Sequence, residues 1–169
     1  MKPVKKILAL ILAGVMALAL LTGCGKATSL DRTIAEGMAE YYKSELKTPN
    51  NISVSYQVPE LSRNIAPLFN ETWITKDNSD DVLTEAAKET LKGILSPYMS
   101  DSYVAFHAAD VTDVKTPFME GVNLIDSTIE FVASNPPFDA ASITSMKIAV
   151  THKTVNGRTY ALAVAIMEK

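Results

Sequence analysis

Apolar residues recur at three- and four-residue spacing in several stretches of the chain. Leu30, Ile34, Met38, Tyr41, Tyr42 and Leu46 predict an amphipathic helix over 30–47, ended by Thr48-Pro49-Asn50-Asn51. The alternation Ile52-Ser53-Val54-Ser55-Tyr56 predicts an edge strand or an extended lead-in. Pro59 opens a second helix with Leu61, Ile65, Leu68 and Phe69 inward, and Pro67 must shorten, bend or break it. The run Asp77-Asn78-Ser79-Asp80-Asp81 ends a loop and caps a third helix over about 80–96, which buries Leu83, Ala86, Ala87, Thr90, Leu91 and Ile94. Tyr103 to Val111 predicts a strand. Thr116-Pro117 then starts a fourth helix, with Phe118, Val122, Ile125, Ile129 and Val132 inward and Asn135-Pro136-Pro137 at its end.

The sharpest local signal is C-terminal. Met146 to Lys153 and Arg158 to Met167 are β-rich, and Asn156-Gly157 between them supplies the two positive-φ residues of a type I′ turn. That turn sets Thr151 opposite Leu162 and Val150 opposite Ala163. One face then carries Met146, Ile148, Val150 and His152 with Ala161, Ala163, Ala165 and Met167; the other carries Tyr160, Leu162, Val164 and Ile166. Both faces are apolar, which calls for helices on both sides. The predicted fold is α+β: an α/β/α sandwich whose central, mainly antiparallel sheet ends in this hairpin. Residues 30–169 hold no repeat or long linker and read as a single domain.

Residues 1–24 follow a different pattern. Lys2, Lys5 and Lys6 precede an uncharged apolar run from Ile7 to Leu21, too short for a comfortable membrane span of about 20 residues. Leu21-Thr22-Gly23-Cys24 resembles the lipobox of bacterial lipoproteins. The resemblance implies cleavage between Gly23 and Cys24, a diacylglyceryl group on the Cys24 thiol, and a domain held on the extracytoplasmic side of the bacterial cell membrane. An ordinary signal peptide with an incidental Cys, or an uncleaved anchor, is the alternative reading. The divisions are then 1–23 as signal peptide, 24–29 as lipidated Cys and short tether, and 30–169 as the domain. Removing residues 1–23 takes away three Lys and no acid, leaving 13 Lys+Arg against 19 Asp+Glu. That acidic balance, without a basic run, excludes nucleic acid as a partner. The chain has one Cys, which excludes an internal disulfide framework and a multi-Cys zinc site.

The order helix, helix, helix, strand, helix, strand, strand resembles the CAP superfamily (cysteine-rich secretory, antigen 5 and pathogenesis-related proteins). Three stretches carry the likeness: Val54 to Ser62, Asn135-Pro136-Pro137-Phe138-Asp139-Ala140-Ala141-Ser142-Ile143, and Met146 to Met167. The family's cleft presents two His and acidic partners, sometimes with a metal. Phe138 stands where the resemblance would put one of those His, and the second helix has none, so no catalytic residue carries over.

The chemistry-bearing residues are few. His107 and His152, with Asp110 or Asp113, offer a general base or metal ligands if their strands are neighbours, but they lack local ligand spacing. Asp77, Ser79, Asp80 and Asp81 offer hard oxygens for calcium, yet the run lacks the central Gly and the later bidentate Glu. Ser127, Ser142 and Ser145 have no base at motif spacing. No cofactor or metal is expected. Aromatics including Trp73 and Tyr103 can line a groove for an apolar or glycan-like ligand. The sequence therefore predicts a membrane-anchored, non-enzymatic envelope lipoprotein that binds such a ligand or another envelope protein, with His107, His152, Tyr103 and Trp73 as ligand-binding candidates. The alternatives are a cell-wall or lipid-acting hydrolase using His107 or His152, and a structural subunit of a surface assembly.

Overall fold

A computed structural model describes residues 29–49, 51–134 and 139–169. Helix α1 (Ser29–Leu46) leads into a three-residue strand β1 (Ser53–Ser55). A π-helical turn, Leu61–Ile65, runs into α2 (Ala66–Leu68). Pro67 explains the wide turn: without an N–H it cannot bond the carbonyl four residues back, and its ring needs room there. The hairpin β2 (Ile74–Asp77) and β3 (Asp80–Leu83) precedes α3 (Glu85–Leu95). Then follow β4 (Ser102–Asp110), α4 (Pro117–Ile125), β5 (Ile129–Ser134), β6 (Ser145–Val155) and β7 (Arg158–Glu168).

The result is an α+β fold: four helices on a five-stranded mixed sheet of order β1-β6-β7-β4-β5, with β2-β3 as a separate pair. Only β1 runs parallel to its neighbour, β6. The β6-β7 register sets Thr151 opposite Leu162 and Val150 opposite Ala163, as the turn requires, with Asn156 at φ 48° and Gly157 at φ 80°. The hairpin is central, and its two faces feed two cores. On one, α1 (Ile34, Met38) and α4 (Leu124) cover Ile148, Ala163 and Ala165. On the other, Leu61, Ile65, Phe69 and α3 (Ala87, Leu91, Leu95) cover Phe106, Leu162, Val164 and Ile166.

Two predicted helices are shortened by strands. The acidic run 77–81 is the turn and flank of β2-β3, with Asn78 at φ 55° and Asp77 paired to Asp80. The cap of α3 is instead Thr84, whose Oγ1 accepts from the Ala87 N–H at 3.3 Å. Within that helix Ala86 faces solvent. The fourth helix stops at Ile125, and Ile129 and Val132 belong to β5. Ser127 donates to the Ala108 carbonyl, and Thr128 donates to the Asp81 carbonyl at 2.6 Å. Those bonds end the helix, and the β-branched and aromatic run after them satisfies the free edge of β4. Asn135-Pro136-Pro137-Phe138, like the segment 1–28 with Gly23 and Cys24, lies outside the described residues. No helix among the described residues is long and apolar enough to cross a membrane.

Candidate functional site

Both histidines lie on the sheet face covered by α1 and α4. His107 pairs across β4-β7 with Ala163, and His152 pairs across β6-β7 with Ala161. Two strand spacings and a two-residue offset separate their Cα atoms by about 12 Å. They share no partner. Each ring has its own surroundings, and the two differ in kind.

His152 is held between carboxylates from two helices. Its Nδ1 is 2.7 Å from Asp31 Oδ1 on α1, and its Nε2 is 2.7 Å from Glu120 Oε2 on α4. Asp31 and Glu120 are buried, whereas the ring keeps 23% of its side-chain surface. Two carboxylates can both be satisfied only by a ring with a proton on each nitrogen, hence by an imidazolium. The bond to Asp31 is the largest influence raising the His152 pKa; burial opposes it, and Glu120 adds to the rise. Asp31 and Glu120 lie in the first turns of their helices. There the partly positive N–H groups favour an anion, which offsets the second negative charge of the trio. Thr116 caps α4 from Oγ1 to the Met119 N–H at 3.3 Å.

His107 is the opposite case. The residue is 5% exposed, and its Nε2 is 2.9 Å from the Tyr42 hydroxyl on α1. Burial pushes its pKa down to about 4, so the ring is neutral near pH 7. Nδ1 is buried without a hydrogen-bond partner among the described residues, with the Glu130 carboxylate 3.8 Å away. That carboxylate favours a proton on Nδ1, so Nε2 accepts from Tyr42. Burial raises the Tyr42 pKa above its ordinary value, so its hydroxyl keeps the proton.

The remaining candidates do not join either histidine. Trp73 is buried on the far side of the sheet, edge-on to Phe69 with ring centroids 5.8 Å apart. Tyr103 shares the histidine face and is half-buried near Tyr41 and Glu130. Asp110 caps the turn after β4, accepting from the Thr112 N–H at 3.0 Å, and meets Arg158 at 3.5 Å. Asp113 is exposed. Ser145 donates to Glu168, and Ser142 to the Asp139 carbonyl. Among the described residues, no group of three or more His, Cys, Asp or Glu is arranged to hold a metal ion. A ring clamped through both nitrogens offers no lone pair to a substrate, and one buried against Tyr42 offers none to solvent. As arranged, both imidazoles connect helix to sheet.

Sequence reasoning passed over Asp31 and Glu120, the two residues that make the site. The signal was present: Asp31 precedes Ile34 and Ala35 on the apolar stripe of α1, and Glu120 precedes Leu124 on that of α4. An acid on an inward stripe requires a buried partner.

No protein family, no curated protein and no solved structure matches this chain.

Proposed function

We propose that the chain is a bacterial lipoprotein, anchored through lipid on Cys24 at the extracytoplasmic side of the membrane, and that its domain binds rather than catalyses. The observation that carries the anchoring is Leu21-Thr22-Gly23-Cys24 after a charged start and an apolar run, five residues ahead of Ser29, the first residue of α1. Two or three acyl chains, at about 0.8 kcal/mol per buried methylene, make a lasting anchor. The engagement of both imidazoles supports the non-catalytic reading. The ligand is apolar or glycan-like, or a segment of another envelope protein. We assign it to the margin where β4 and β5 emerge beside α1, with Tyr103 half-buried and Val132 45% exposed on one face. Tyr41 and Tyr103 give that margin apolar area with polar tips.

The order of helices and strands also supports a CAP-like reading of the fold, with β1, the β2-β3 pair and β5 added to the predicted seven-element order. In this reading the metal cleft of the CAP superfamily is lost.

The anchor is tested by feeding cells an alkynyl fatty acid and tagging the purified chain. Label on the native chain and none on Cys24→Ser is the expected result; an unlabelled native chain overturns the anchor. Native mass spectra of the full chain in detergent test the binding. A bound mass lost on denaturation, and weakened by Tyr103→Ala, is expected. A clean spectrum shifts the domain toward a protein partner.

A further inference from the structure

We propose that Asp31, His152 and Glu120 form a proton-operated clasp, which fastens α1 and α4 to the sheet and, when it opens, loosens the seam between those helices. The three groups come from elements far apart in sequence: Asp31 and His152 are 121 positions apart, and Glu120 and His152 are 32 apart. The ring is the bridge between them. With both nitrogens protonated, each buried carboxylate holds a charge-assisted bond at 2.7 Å. Loss of one proton leaves a bare nitrogen lone pair 2.7 Å from a carboxylate oxygen, and drawing that helix back relieves the repulsion.

The groups around the ring make it the place where the proton acts. Asp31 faces it from α1 and Glu120 from α4. β7 offers Ala161, and its own strand offers Val150 and Thr154 on the same face. The next charged pair on α1, Arg32 with Glu36 at 2.6 Å, is turned toward Tyr56, with the guanidinium 3.9 Å from the ring centre. The seam beside the clasp is lined by Thr33, Gly37, Pro117, Phe118 and Gly121. It is narrow because small residues face it, and Ile34 lies 3.8 Å from where a Cβ on Gly121 would stand. Small movements of either helix therefore widen it.

The sign follows from the raised His152 pKa. The clasp contributes fully below the unfolded imidazole value of about 6.5, and its contribution is lost as pH rises through the folded value. A domain outside the cell meets such changes without the buffering of the cytoplasm.

The test is hydrogen–deuterium exchange of the full chain in detergent at about pH 5.5 and about pH 8.5, each corrected for intrinsic exchange. Peptides from α1 and α4 should lose about tenfold in protection at the higher pH, while α3 and β7 hold theirs. Asp31→Asn, which removes the larger influence on the ring, should remove most of that pH dependence, and Glu120→Gln a smaller share. Equal protection at both pH values, or loss in step with α3 and β7, overturns the clasp. A carbon-13 titration of the His152 ring in the native chain gives an answer that no variant's folding can obscure. A midpoint above about 6.5 is expected, and one at or below it overturns the proposal.

Discussion

The two histidines sit two strands apart on one face of one sheet, under the same helix, and differ in charge state. His152 meets two buried carboxylates and is held as a cation. His107 meets a tyrosine hydroxyl in a drier place and is held neutral. The residue type fixes neither outcome; the partner and its distance do. Their effects on stability are mirror images. His152 adds stability below about pH 6.5 that fades as pH rises, whereas His107 costs stability as pH falls from about 6.5 to about 4, because the unfolded ring takes up a proton that the folded ring refuses. Together they set a stability maximum near the ordinary imidazole value.

His152→Leu breaks the comparison most severely. It leaves Asp31 and Glu120 buried with the bridge gone, and should cost about 3 kcal/mol in urea unfolding at neutral pH, the low end for a broken buried pair because the ring keeps some water. The acid limb comes next: the native chain should lose up to about 3 kcal/mol between pH 6.5 and 4 on account of His107, read as a fall in the urea midpoint. Tyr42→Phe removes the hydroxyl and strands His107 Nε2, a cost of about 1–2 kcal/mol that should be the same on either side of pH 7. Glu130→Gln sharpens the contrast from the other end. At 3.8 Å and with half its side chain exposed, Glu130 is no counterpart of Asp31, and its change should shift stability by under about 0.5 kcal/mol. A large effect there would make His107 a second bridged ring.

Legibility in the sequence followed the same division between local and distant causes. The β6-β7 register was readable because Asn156-Gly157 admits one turn and the alternation on each side agrees with it. α1 was readable to within a residue because its stripe repeats over four turns. The helix predicted through Ile129 and Val132 failed because their spacing fits a helix by coincidence, while Ser127 and Thr128 are held by carbonyls of β4 and β3. The acidic run before Thr84 read as a cap because Asp serves both caps and turns, and only the pairing with β2 separates the two uses. For the site, both histidines stood out by scarcity. Their partners did not, since which acid meets which ring depends on contacts spanning up to 121 residues.

The closing hairpin also dictates when this chain can fold. Two eleven-residue strands joined by a two-residue turn form locally and fast, but they follow every other described element along the chain. Among the described residues strand β1 pairs with β6 alone, and helix α1 packs on β6 as well as on α4. The first core therefore cannot close until β6 and β7 have been made, and the elements before them wait for that hairpin.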